Sequence, residues 1–191
     1  MKKFIILIPI YNDWKSVFQL LENIDLQIAK WDAEVLVFII NDGSTKERTV
    51  TELSFKNIKT VRAMNMKQNQ GHARSNAAGL KYLTEKEDFD YVILMDGDGE
   101  DRPEELTSLF NKSKENPLKT VTANRIKRSE GSFFKLLYEC HKILTYVFTG
   151  KLIKFGNYSC LPKEDAARLV KEACIWNSFS GSVTKIISDR V

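Results

Sequence analysis

The chain has 191 residues, 43% hydrophobic and 28% charged, with a formal net charge of +4. These values describe one soluble globular domain with a buried core, and no apolar run approaches the ~20 residues that a bilayer span requires. Nor does the start read as a secretory signal: the apolar stretch from Phe4 to Ile10 is short and leads into Pro9-Ile10-Tyr11-Asn12, not a small-residue cleavage site, so a cytoplasmic location is expected.

In chain order, Phe4 to Ile10 reads as a buried strand, and Val17, Phe18, Leu20, Leu21, Ile24 and Ile28 recur at helical spacing. Val35 to Ile40 predicts a second strand, ending in a turn at Asp42-Gly43-Ser44. A short helix over Lys46 to Leu53 and a strand at Ile58 to Ala63 follow. Gly71 opens a helix with Ala73, Ala77, Leu80 and Leu83 inward, and Tyr91 to Met95 is another strand. A helix starts at Pro103, supported by Glu104 and Glu105 in its first turn. Thr120 to Ala123 is a further strand. This alternation predicts βαβ units and a mostly parallel sheet covered on both faces, with a site beyond the carboxyl ends of its strands. Polar clusters fall there: Tyr11-Asn12-Asp13, Asn41-Asp42, Asp96-Gly97-Asp98 and Asn124-Arg125. Cys140, Cys160 and Cys174 match neither a disulfide framework nor a zinc motif and read as small core residues.

Charge is distributed unevenly. Residues 84–105 carry ten acidic and two basic side chains, and residues 119–154 carry eight basic and two acidic ones. Such blocks suit a site that holds a divalent cation beside an anionic substrate, and equally two solvated surfaces of opposite sign. Within the acidic block, an apolar strand delivers Asp96 and Asp98 to its end, separated by Gly97, which lets a ligand approach the backbone closely. With Glu100 two residues on, these are hard oxygen ligands for Mg²⁺ or Mn²⁺, although an acidic turn leading into the helix at Pro103 has the same composition. Asp42 can accept from a nucleobase or ribose, or simply shape an Asp-Gly turn. At Gly71 the free helix N–H groups favour an anion, with His72 and Arg74 beside them; for His72 a surface or capping role is the ordinary one. Arg125 and Arg128 offer guanidinium groups for phosphate. Without interleaved aromatics this basic run makes a poor nucleic-acid footprint, so no nucleic-acid partner is expected.

Ile8-Pro9-Ile10-Tyr11-Asn12, Asn41-Asp42-Gly43-Ser44, Asn69-Gln70-Gly71-His72 and Asp96-Gly97-Asp98 resemble, in order and spacing, the motifs of family 2 glycosyltransferases, which have the GT-A fold. The likeness covers about residues 3–130. Asp96-x-Asp98-x-Glu100-x-x-Pro103-Glu104, and Arg125 and Arg128 leading into Ser132-Phe133-Phe134-Lys135, are similar to dolichol- and polyprenyl-phosphate sugar transferases. The resemblance implies a single α/β domain, with a donor-binding core over 1–130 and an acceptor-side segment over 131–191. It places Pro9, Tyr11, Asn12, Asp13 and Asp42 in a nucleotide pocket, with Gly71, His72, Arg74, Asp96 and Gly97 along the donor. It implies Asp96, Asp98 and Glu100 as metal ligands, and Asp98, Arg125 and Arg128 as the residues serving transfer. The implied reaction is inverting, metal-dependent transfer from a nucleoside-diphosphate sugar to a lipid phosphate or glycan precursor.

After residue 130 the pattern departs. Where polyprenyl-phosphate transferases carry a Gly-Asp-Phe-Arg-like stretch, this chain has Gly156-Asn157-Tyr158-Ser159, and it stops at Val191, as a short member or a fragment would. Residues 133–148 predict a helix with a wide apolar face, suited to a core, a partner or peripheral contact with the cytoplasmic face of a membrane. The other readings are a non-catalytic nucleotide-sugar-binding protein and a haloacid-dehalogenase-type phosphatase, whose Asp-x-Asp motif normally sits on the first strand.

Overall fold

In the computed structural model, which describes residues 1–47, 54–124 and 155–191, β1 (Lys2–Ile10) runs through the middle of the sheet. Its unbroken apolar run is that of a strand buried on both faces. Phe4, Ile6 and Ile8 enter one hydrophobic cluster, while Ile5 and Leu7 enter the other. Burial of each isoleucine contributes about 1.5–3 kcal/mol. β1 pairs in parallel with β2 (Ala33–Asn41) on one side and β4 (Tyr91–Leu94) on the other. β3 (Ile58–Asn65) lies outside β2, also parallel. Beyond β4 the sheet turns antiparallel: β6 (Phe155–Pro162) lies between β4 and the outer β5 (Val121–Asn124), giving the order β3-β2-β1-β4-β6-β5.

Helices cover both faces. α1 (Trp14–Gln27) and α3 (Leu106–Glu115) pack on the Phe4 side. α2 (His72–Lys86), α4 (Lys163–Leu169) and α5 (Phe179–Ile186) pack on the Leu7 side. α1 begins where the Asp13 carboxylate accepts the Ser16 N–H, and it buries Val17, Leu20, Leu21 and Ile24 at helical spacing. α2 sits close to the sheet because Gly79 has no side chain; a Cβ there would come within 2.7 Å of Ile40 and 2.8 Å of Leu7.

The expected mostly parallel sheet with helices on both faces is the one observed. Three differences have local causes. Lys46 and Glu47 are not helical, and the rest of the helix expected there lies outside the described residues. Pro103 opens a 3-10 turn over Pro103–Glu105, so the α-helix proper starts at Leu106. β6 has no counterpart in the sequence reading, since Gly156, Asn157 and Ser159 dilute its apolar pattern. The helix expected over residues 133–148, together with Arg125 and Arg128, lies outside the described residues. Among the described residues, no helix is long and apolar enough to cross a membrane.

The loop entering β3 is tied to α1 by one buried carboxylate. Asp25 Oδ1 accepts the N–H groups of Asn57 and Ile58, both at 2.8 Å, and Oδ2 accepts that of Lys56 at 3.2 Å. Burial alone would raise its pKa, but the amides of Ile58, Asn57 and Lys56 outweigh this and hold the carboxyl below its ordinary value. Asp25→Ala is expected to cost roughly 2–4 kcal/mol in urea denaturation at pH 7, because it strands the buried Ile58 N–H and the half-buried Asn57 N–H. With a folded pKa below the unfolded one, Asp25 stabilises fully above about pH 4 and loses its contribution as pH falls through the folded value. The gap between wild type and variant therefore narrows in acid.

Candidate functional site

The parallel register brings the carboxyl ends of β1, β2 and β4 to one edge of the sheet. At the end of β4 the chain leaves the ladder through Asp96-Gly97-Asp98. Gly97 is required by space: a Cβ would lie 2.9 Å from the Pro9 carbonyl oxygen and 2.9 Å from Ile10 Cγ2. Gly99 has φ +84° and turns the loop back. The Asp98 carboxylate accepts the Glu100 N–H at 2.9 Å, and the buried Asp101 carboxylate accepts the Asp96 N–H at 2.8 Å. The Tyr158 hydroxyl then donates to the Arg102 carbonyl at 3.0 Å. Burial raises the Tyr158 pKa, and the charges of Asp101, Glu105 and Glu104 push it in the same direction.

A second stitched element faces this turn. Asp42 is buried, and its two carboxylate oxygens accept the N–H groups of Gln70 and Gly71, each at 2.9 Å. Gly43 (φ +68°) lies so close to the same loop that a Cβ would meet Asn69 N at 2.6 Å. Gly71 (φ +87°) then starts α2, setting His72 at its first position. From there His72 Nε2 reaches Asp96 Oδ1 at 2.8 Å, and Asn157 Nδ2 approaches the same oxygen at 3.4 Å. The hydrogen bond to Asp96 raises the His72 pKa against the opposing effect of burial, and the charges of Asp96, Asp98 and Asp101 add to the rise.

Of the residues singled out in the sequence, Pro9, Tyr11, Asp13, His72, Asp96, Gly97, Asp98 and Glu100 line one cavity of about 410 Å³. Asn12, Asp42, Gly71 and Arg74 are not part of its lining; they build its frame. Asn12, at φ 60°, accepts the N–H groups of Thr45 at 2.8 Å and Lys46 at 2.9 Å. Arg74 donates to the Gln70 side chain at 3.2 Å. Among the described residues, no three His, Cys, Asp or Glu side chains form a group able to hold a metal ion. Asp96, Asp98 and Glu100 line the cavity, with Asp96 drawn to His72 and the Asp98 carboxylate to the Glu100 N–H.

Two residues of this region escape the sequence reading. Asn157 also lines the cavity, although it comes from the first turns of a strand and not from a strand end. The rule of looking beyond carboxyl ends misses it, because β6 is antiparallel and presents its start at this edge. Asp101 falls inside the acidic run, where nothing in the pattern separates a buried carboxylate from solvated ones.

Residues 5–175 match the family model described as Glycosyl transferase family 2. An undecaprenyl-phosphate 4-deoxy-4-formamido-L-arabinose transferase of Klebsiella pneumoniae is 29% identical over 162 residues, covering 84% of this chain and 47% of its own. A dodecaprenyl-phosphate galacturonate synthase of Rhizobium johnstonii is 22% identical over 170 residues, covering 87% of this chain and 48% of its own. The chain thus spans about half the length of these curated relatives. In fold it is similar to a mannosyltransferase of Pyrobaculum calidifontis solved in complex with GDP-Man and Mn²⁺. That structure has a TM-score of 0.59 at 17% identity, over 97% of this chain and 52% of that one.

The His72 contact is open to direct measurement. In an NMR titration, the imidazole is expected to titrate above the ordinary histidine value of about 6.5, and Asp96→Asn to bring it back down. A midpoint at or below 6.5 that Asp96→Asn leaves unmoved would contradict the contact.

Proposed function

The chain belongs to glycosyl transferase family 2, and from that membership we propose that it transfers a sugar from a nucleoside-diphosphate donor to a polyprenyl-phosphate acceptor. The observation that carries this reading is the cavity in which Asp96 and Asp98 face Tyr11, Asp13 and the first residue of α2. Tyr11, 47% exposed, offers an aromatic face to a base, and Asp13 and Pro9 supply the neighbouring wall. Asp42 serves the nucleotide end by holding the loop at Gln70 and Gly71. His72 and Gly71 open α2 towards the diphosphate, where helix N–H groups favour an anion. Arg125 and Arg128 are assigned to phosphate groups of donor or acceptor on their sequence pattern alone.

Two of the cavity carboxylates suit a divalent cation that takes the rest of its shell from the ligand and water. Asp96 and Asp98 bring hard oxygen atoms to the cavity wall, and Mg²⁺ typically takes only one or two carboxylates, leaving the rest of its shell to phosphates and water. Mg²⁺ or Mn²⁺ bound there would neutralise charge on the departing diphosphate. In the transfer itself, an acceptor phosphate oxygen attacks the anomeric carbon as the bond from that carbon to the diphosphate breaks. The bonding pair leaves on the diphosphate, and the configuration at carbon inverts. A phosphate oxygen is already an anion, so the chain need not supply a base. Its side chains act by binding, by orienting the donor and by excluding water. Peripheral membrane contact through residues 133–148 would bring the site to a lipid acceptor.

Isothermal calorimetry with UDP and GDP, with and without Mn²⁺, tests the assignment. Wild type is expected to bind at least one of them about tenfold or more tightly with Mn²⁺, and Asp98→Ala to abolish that metal-dependent part. Equal, metal-independent binding by both proteins would contradict it. A thermal-shift panel of UDP-, GDP-, dTDP- and CMP-sugars would then identify the donor base.

A further inference from the structure

At Asp96 the backbone leaves the sheet, so its N–H loses the regular ladder that serves β4; the preceding donor, Met95 N, still reaches the Leu7 carbonyl at 3.0 Å. Asp101 supplies the replacement, accepting the Asp96 N–H at 2.8 Å from a side chain only 6% exposed. Burying a carboxylate carries a penalty that a solvated acceptor would avoid. The bond closes residues 96–101 into a ring. That ring is tight at Gly97, left-handed at Gly99 and braced inside by Asp98 on Glu100 N. It is anchored just outside by Tyr158 on the Arg102 carbonyl. Without Asp101, the ring keeps its outer anchor but loses the hydrogen bond that caps the Asp96 N–H where the chain turns out of the strand.

We propose that Asp101 is a positioning residue for the donor site: by capping the Asp96 N–H it sets the path of the turn that carries the Asp96 and Asp98 carboxylates. The proposal rests on the reading of this cavity as the diphosphate and metal site. Asp101 touches neither substrate nor metal in this account; it acts through the backbone of Asp96. An outer group that orients ligating carboxylates typically changes affinity or activity by about 10- to 100-fold when removed.

The test compares wild type, Asp101→Ala and Asp101→Asn for the Mn²⁺ concentration that half-saturates UDP or GDP binding, with thermal melting as the control for folding. Asp101→Ala is expected to raise that concentration by about 10- to 100-fold. Asp101→Asn keeps an oxygen acceptor for the Asp96 N–H and is expected to stay within a few-fold of wild type. Wild-type Mn²⁺ dependence in a folded Asp101→Ala, or an equal loss in both variants, would overturn the proposal. Should Asp101→Ala fail to fold, hydrogen exchange at the Asp96 amide decides between the outcomes. The proposal expects protection in wild type and retention of most of it in Asp101→Asn, and rapid exchange in wild type would overturn it. Wild type that binds neither nucleotide would count against the proposed function, while the exchange measurement would still judge Asp101.

Discussion

β1 pairs Leu7 with Leu94 on one side and Ile8 with Ile39 on the other, and this parallel register determines where the polar residues finish. Since β1 is buried on both faces, a slip of one residue would send Phe4, Ile6 and Ile8 into the other cluster and part Phe4 from the rings of Trp31, Tyr91 and Phe110 that it packs against. β1 and β2 consequently end side by side at Ile10 and Asn41, and β4 ends at Leu94 opposite Leu7, so Tyr11, Asp42 and Asp96 follow at the same edge of the sheet. The contact of Gly97 with the Pro9 carbonyl is the tightest expression of this constraint. It leaves no space between the two strand ends, so the carboxylates that follow must face the same cavity as Tyr11.

On that frame, polar side chains do most of the shaping. Asp42, Asp101 and Asn12 spend their oxygens on backbone N–H groups of loops that would otherwise be free to wander. The residues left to face the cavity, Asp96, Asp98, Glu100 and His72, are held by this outer set. His72 links the two halves, since it starts α2, which Asp42 positions, and ends on Asp96, which Asp101 positions. A site built this way is shaped before any ligand arrives, the arrangement that serves electrostatic stabilisation of a leaving group best.

Much of this was legible in the sequence. Uninterrupted apolar runs such as Phe4 to Ile10 identify interior parallel strands, and the glycine-separated carboxylates at the end of β4 do line a cavity. The family follows from four motifs in order, none of which is specific alone. Other features were hidden for physical reasons. Asn157 arrives from an antiparallel strand that pairs with the distant β4 and meets Asp96 across 61 residues of sequence, a pairing that local pattern does not encode. Asp101 reads in sequence as one more solvated carboxylate, and the hold of Asp42 on the loop at Gly71 is equally hidden, because a carboxylate that accepts backbone amides has the same letter as one that meets solvent or substrate. His72, expected at the surface and by resemblance along the donor, is exposed, but only the fold sets it 2.8 Å from Asp96.

The central claim is that donor and metal meet at the carboxyl edge of β1 and β4. Anomalous diffraction from crystals soaked with Mn²⁺ and UDP or GDP tests it most directly. One strong Mn²⁺ peak is expected beside the Asp96 and Asp98 carboxylates, with diphosphate density next to it and the base towards Tyr11. Metal and nucleotide density elsewhere, for example in the cavity lined by Phe4, Tyr91 and Phe110, would contradict it.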